Sequence, residues 1–173
     1  MSWGRCSEIR SHNVDFQPDE IDLKGMENFV KAVRSSNPPY AKIGVLGANV
    51  TRDGGKPTNA DIGAAHEYGS PERGLPVRSF LRVPLAEQLP KRLEDTDLLG
   101  EDEMRKVAET GSLTPWMKKI AVIAVGVVKE AFATQGYGKW PSWKTPGYTN
   151  NTGQVLMDTK QLERSITEEV VEP

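Results

Sequence analysis

The pair His66-Glu67 has the side chains best suited to chemistry in this sequence. An imidazole titrates near neutral pH and a carboxylate binds metal ions, so the pair could serve acid–base chemistry or metal binding. A metalloprotease helix, however, needs a second histidine four residues after the first, and this position is Ser70. We therefore interpret His66 as a packed or interface residue. A small hydrolase that uses His66 with Glu67 or a nearby aspartate is the alternative.

Three further features could carry chemistry, and each has a simpler structural interpretation. The segment Asp53-Gly54-Gly55-Lys56 is glycine-rich but lacks the spacing of a phosphate loop, so we predict an exposed turn. Cys6 lies in a polar segment without a partner base, which does not favour a nucleophile. The acidic stretches Asp15–Asp22 and Glu94–Asp97 are more typical of a solvated surface than of a glycosidase carboxylate pair. We predict no catalytic residue, no metal ion and no cofactor.

Trp140 and Trp143 belong to an aromatic segment between Gly136 and Gly153. They could stack on nucleic-acid bases while Lys144 contacts a phosphate, so a nucleic-acid-binding accessory is a second alternative. The formal net charge of -2 argues against a dedicated nucleic-acid binder, which would carry a basic surface. We therefore expect both tryptophans to cap the core or to anchor a subunit interface.

The composition fits one domain that folds in a reducing compartment. The 173 residues divide into an N-terminal arm over residues 1–20 and a single α+β domain over residues 21–173. One cysteine excludes an internal disulfide framework. We expect no signal peptide, because Met1–Pro18 lacks an apolar core. We expect no membrane span, because the longest apolar run, Ile120–Val128, falls short of the roughly 18 residues required.

The first half of the domain is predicted to contain two helices and a strand. Apolar residues at i, i+3, i+4 and i+7 predict an amphipathic helix over Asp22–Arg34, and alternation predicts a strand over Tyr40–Gly47. Thr58 or Asn59 is expected to cap a short helix that ends at Gly69. The residues expected on the inner face of that helix are Ile62, Ala65 and Tyr68.

The second half is predicted to be built around one long apolar helix. Before it, we expect a helix interrupted by Pro84 and Pro90, then a solvated linker over Glu94–Glu103 with a short helix around Glu103–Glu109. Thr114 is expected to cap the long helix, and its nearly continuous apolar surface through Ala133 indicates a buried central position. Near the end of the chain, we expect Asp158 to cap a short helix that precedes a strand over Ser165–Val171.

These elements define the predicted fold class. We expect an α+β fold with a small antiparallel or mixed β-sheet packed on a long central helix, an extended N-terminal arm and long loops.

Three sequence blocks, in this order, resemble the virion-morphogenesis and tail-completion proteins of long-tailed bacteriophages. The first runs over Ile43–Gly69 and includes Ala-Ala-His-Glu-Tyr-Gly, the second is Leu75–Arg82, and the third runs over Trp143–Ile166 with Leu-Met-Asp-Thr-Lys near its middle. The resemblance covers residues 40–170. Ser79 stands where these proteins usually have proline, and Lys160 where they usually have glycine, which bears on local turn geometry.

The resemblance implies a non-enzymatic structural subunit at the phage head–tail junction, a tail-completion, tail-terminator or neck protein. Such a subunit forms a ring, commonly hexameric, between the connector and the tail tube, and DNA passes through the lumen without sequence-specific binding. We therefore expect the protein in the virion, and in the host cytoplasm during assembly. A minor capsid or tail assembly protein is the alternative within this class. The expected interface residues are Arg78, Phe80, Leu81, Arg82, His66, Tyr68, Trp140 and Trp143.

Overall fold

The computed structural model describes residues 23–47, 57–98, 100–141, 156 and 160–172. Within these ranges the chain forms six α-helices and a two-stranded antiparallel sheet, which confirms the predicted α+β class. The helices and strands, in chain order, are α1 Leu23–Val33, β1 Tyr40–Val45, α2 Asn59–Tyr68, α3 Arg82–Asp95, α4 Glu101–Thr110, α5 Thr114–Ala133, α6 Gln161–Arg164 and β2 Ile166–Val171.

The sheet joins the two ends of the domain. β1 and β2 run antiparallel with Tyr40 opposite Val171 and Val45 opposite Ile166, so the last strand pairs with an earlier strand of the same chain. α5 packs on both strands and on α3. A two-stranded sheet is marginal by itself, so its packing against the 20-residue helix α5 stabilises it.

The core lies where α5 meets the sheet and α6. Its buried apolar residues are Phe80, Val125, Val128, Phe132, Leu162 and Ile166. The central position of α5 is therefore as predicted. The predicted cap is wrong, because Thr114 is the first residue of the helix and Leu113, which has no capping side chain, occupies the N-cap. The expectation of burial on nearly all sides is wrong for one stripe, because Val122 is 62% exposed and Gly126 also faces solvent.

Helix α1 forms where the periodicity predicts it, but its apolar face does not point into the domain. α1 packs on α4 through the other side, where Gly25 and Ala32 are buried and Asn28 Nδ2 donates to the Ala108 carbonyl at 3.2 Å. Two small residues at this contact allow the helix backbones to approach closely. Val30 and Val33, in contrast, are exposed.

Helix α3 corrects the prediction of a helix broken at prolines. It runs without interruption over 14 residues. Pro84 lies in its first turn, where a backbone N–H has no partner within the helix, so the missing donor costs nothing. Pro90 lies inside the helix, and the carbonyl that it leaves without a donor belongs to the exposed Ala86. α4 begins at Glu101, so the predicted acidic linker contributes the end of one helix and the start of the next.

Several expectations concern residues outside the described ranges. They are the N-terminal arm over residues 1–20, the turn at Asp53–Lys56, the tryptophan Trp143 with most of the aromatic segment, and the cap at Asp158.

Candidate functional site

Helix α2 carries the His66-Glu67 pair. Thr58, one of the two residues expected to cap this helix, forms a capping box with Asp61 in its first turn. Thr58 Oγ1 accepts from the Asp61 backbone N–H at 3.1 Å, and Asp61 Oδ2 accepts from the Thr58 backbone N–H at 2.9 Å. The inner face of α2 agrees with the prediction at Ile62, which packs on the core, but not at Tyr68, which is 70% exposed. The fully buried residues of the helix are Asn59, Gly63 and Glu67.

The carboxylate of Glu67 is buried and binds the turn that precedes α3. Its Oε2 accepts from the backbone N–H groups of Phe80 and Leu81, each at 3.0 Å. Its Oε1 accepts from the Arg82 backbone N–H at 3.1 Å and from Ser79 Oγ at 2.5 Å. Both oxygens are therefore engaged in two hydrogen bonds each.

This carboxylate replaces the local N-cap that α3 lacks. Leu81, at the N-cap position, has no side chain that could accept a hydrogen bond. Glu67 accepts from Leu81 and Arg82, Ser79 Oγ accepts from the Val83 backbone N–H at 3.0 Å, and Pro84 has no N–H. Every donor at the start of α3 is thus satisfied, and the negative charge lies at the positive end of the helix dipole.

The site therefore uses Glu67 for structure. A general base or metal ligand needs a lone pair directed at a substrate or an ion, whereas both oxygens of Glu67 receive donors from the domain itself. Among the described residues there is no group of three or more histidine, cysteine, aspartate or glutamate side chains that could hold a metal ion.

His66 lies beside this network in an environment that favours its neutral form. Burial, together with the nearby charge of Arg78, lowers the pKa of His66 from 6.5 to about 4. Its Nδ1 is buried and has no hydrogen-bond partner in the described part of the chain. The backbone carbonyl of His66 accepts from the Arg78 N–H at 2.8 Å, which ties α2 to the segment before α3. The imidazole is thus partly enclosed and uncharged near neutral pH.

Arg78 and Phe80, both expected at an interface, are buried within the chain, and the expectation is wrong for these two side chains. Arg78 is 1% exposed, and its Nε donates to the Pro141 carbonyl at 3.0 Å. Phe80 packs against Phe132 with ring centroids 5.0 Å apart. Leu81 is half-buried and packs on the same core. An anchor for another chain must be accessible, so these residues stabilise the domain instead.

Trp140 is also committed to the domain. Its indole N–H donates to the Ser79 carbonyl at 3.1 Å, and its ring meets Phe132 edge-on at 5.8 Å. A base-stacking role would need a free ring face, and the contacts of Trp140 favour the predicted role of capping the core. Of the expected interface residues, Tyr68 and Arg82 are exposed, with 65% of the Arg82 side chain accessible.

Tyr137, at the start of the aromatic segment, has a structural role that its local sequence does not indicate. Its hydroxyl donates to the Val127 carbonyl at 3.1 Å and lies 3.3 Å from Glu130 Oε2. Burial and the neighbouring Glu130 charge raise the pKa of Tyr137 to about 12. These contacts fasten the start of the aromatic segment back onto α5.

The Glu67 network could have been anticipated from one absence in the sequence. The start of α3 shows no Ser, Thr, Asp or Asn at the N-cap, so a remote acceptor was required. Nothing in the local pattern indicates which residue supplies it, because Glu67 lies 13 to 15 positions from the three N–H groups it binds.

No protein-family model, curated protein or solved structure matches this chain. In the described ranges, no helix is both long and apolar enough to cross a membrane.

Proposed function

We propose that this protein is a structural subunit of the bacteriophage head–tail junction, a tail-completion, tail-terminator or neck protein that closes into a ring. In this role it would join the connector to the tail tube, with DNA passing through the lumen. The proposal needs no cofactor and assigns no catalytic residue.

The observation that carries the proposal is the way the three sequence blocks meet. Glu67, from the first block, binds the backbone of residues 80–82 from the second. Phe80, from the second, shares a core cluster with Leu162 and Ile166 from the third. Residues that resemble one protein family are therefore residues that pack together in this fold. This packing is what the proposal expects if the three blocks belong to one architecture, and it supports the proposal to that extent.

The exposed surface also suits a subunit that contacts other chains. Tyr68 is 70% exposed and Val77 53%, and Arg82 is accessible near the same segment of the chain. Tyrosine and arginine are enriched where proteins bind one another, and exposed apolar area marks such surfaces. The segment between Tyr68 and Val77 contains a short 3-10 turn at Pro71–Arg73. An isolated antiparallel β-bridge between Ser70 and Leu75 closes this turn.

The test is assembly of the purified protein. We expect light scattering and negative-stain microscopy to show rings, alone or on added tail tubes. Replacing Tyr68 with Ser should reduce ring formation while the melting temperature stays within a few degrees of the parent. Tyr40→Ser is the matched control, since Tyr40 is also an exposed tyrosine, at 50%, but lies on β1. A chain that stays monomeric in the presence of tail tubes would overturn the proposal.

A further inference from the structure

Helix α1 presents an apolar face that nothing in the described part of the chain covers. Its four residues are between 40% and 64% exposed: Leu23, Met26, Val30 and Val33. We call this set the α1 face. The opposite side of the helix is already used, since Gly25 and Ala32 pack towards α4. A contiguous apolar strip of this kind on a small domain marks a binding surface.

Charge along the α1 face defines what could bind there. The groove at this face is lined by the apolar Met26 and Val30, by the basic Lys31 and Arg34, and by one acidic side chain, Glu27. The two basic side chains outnumber the one acidic side chain, so the charge of the groove favours carboxylates, and its apolar part favours apolar side chains. An occupant that fits therefore offers apolar side chains next to acidic ones.

We propose that residues 14–21 of the same chain cover the α1 face. This segment reads Val-Asp-Phe-Gln-Pro-Asp-Glu-Ile, so it places Val14 and Phe16 beside three carboxylates. It provides the combination of apolar and acidic groups that the groove requires. Its last residue, Ile21, stands two positions before the first residue of α1.

The length of the connection allows this docking. Phe16 precedes Leu23 by seven residues, and an extended chain of that length spans roughly 20 Å. Val30 follows Leu23 by seven helical residues, about 10 Å along α1. The chain is therefore long enough to turn back at Asp22 and bring Phe16 to Val30, since its extended length is about twice the distance required. Tethering also raises the local concentration of the segment to about the millimolar range, which favours the chain's own segment over that of a separate copy in dilute solution.

Disulfide trapping in the full chain tests the proposal. In a chain with Cys6→Ser, we introduce Phe16→Cys together with Val30→Cys and oxidise it mildly at low protein concentration. We expect an internal disulfide within one chain, seen as faster migration on a non-reducing gel. Phe16→Cys with Val122→Cys is the control pair, because Val122 is at least as exposed as Val30, at 62% against 40%, but lies on α5. A covalent dimer would assign the α1 face to a second copy, and equal trapping of both pairs, or of neither, would overturn the proposal as well.

Protection of a thiol gives a second measurement that does not depend on disulfide geometry. Met26→Cys in the Cys6→Ser chain should react with a maleimide more slowly than the same chain carrying Phe16→Ser, by about tenfold if the tethered segment occupies the face most of the time. The thiol of Val122→Cys should react at the same rate in both backgrounds. Equal rates for Met26→Cys with and without Phe16 would contradict the proposal, whatever the outcome of the ring-assembly test.

Discussion

Ser79 Oγ donates to Glu67 Oε1 at 2.5 Å and accepts from the Val83 backbone N–H at 3.0 Å. One hydroxyl thus links the last turn of α2 to the first turn of α3. The resemblance leads us to expect proline at this position, and a proline could supply neither bond. In this chain, Ser79 adds a second capping group beside the carboxylate.

The first prediction concerns Glu67. Replacing Glu67 with Gln keeps the shape but removes the charge and converts one acceptor into a donor, so two of the four donors lose their partner. We expect a loss of about 3 kcal/mol in the free energy of unfolding, since hydrogen bonds to a buried charged group contribute about 1.5–3 kcal/mol each. Urea denaturation measures it. Glu72→Gln, on an exposed turn, should change stability by less than about 0.5 kcal/mol. A Glu67→Gln protein as stable as the parent would contradict the capping role.

The second prediction follows from the His66 pKa. Because the native value is about 4 and the unfolded value about 6.5, the unfolded chain binds more protons between these pH values. The contribution of His66 to the free energy of unfolding is therefore fully present above about pH 6.5 and is lost as the pH falls towards 4. We expect this loss to be roughly 2 kcal/mol, after allowance for the partial exposure of the ring. Denaturation midpoints at pH 7, 5.5 and 4 measure this slope.

The control for the histidine is a matched pair of variants. His66→Gln should flatten the slope between pH 4 and 6.5, whereas His12→Gln, at the only other histidine, should retain it. An unchanged slope in His66→Gln would show that other groups set the acid sensitivity. The same variant bears on the hydrolase alternative, which requires an activity that His66→Gln abolishes while assembly survives.

The third prediction concerns Lys160, which replaces the glycine expected from the resemblance. Its φ is +57°, in the left-handed region that glycine adopts at little cost. Lys160→Gly should raise the free energy of unfolding by about 1 kcal/mol. Lys160→Ala tests the reason, because alanine keeps the β-carbon and should give no gain. Equal effects of the two substitutions would contradict the strain argument.

The fourth prediction concerns Trp140. Trp140→Phe keeps an aromatic ring against Phe132 but loses the hydrogen bond to the Ser79 carbonyl, and we expect a loss of about 1 kcal/mol. Trp140→Ala also leaves a cavity, and should cost about 3 kcal/mol. Denaturation curves measure both. If both variants are as stable as the parent, Trp140 is free for a ligand, and salt-dependent binding of single-stranded DNA would then support the nucleic-acid alternative.

Local sequence signals predicted the elements but not their long-range partners. The cap at Thr58 or Asn59, the periodicity of α1 and the apolar run of α5 each depend on residues close in sequence, and each predicted an element close to its observed bounds. The orientation of α1 was not predictable, because small residues at Gly25 and Ala32 decide which side approaches α4.

In the candidate site, too, the residue types could be seen in the sequence but their long-range contacts could not. In the sequence, Arg78 and Phe80 resemble interface anchors, since arginine and aromatic residues are common at protein interfaces. Their burial depends on α2, α5 and the segment at Pro141, which come together only in the folded chain. The role of Glu67 depends likewise on a turn that lies at least 12 residues away.

The proposed function is tested most directly by a quantitative mass-spectrometric inventory of tailed phage particles purified from the strain that carries the gene for this chain. We predict peptides of this protein in intact, tailed particles at the copy number of a single ring per connector. Complete and infectious particles that contain none of its peptides would contradict the account.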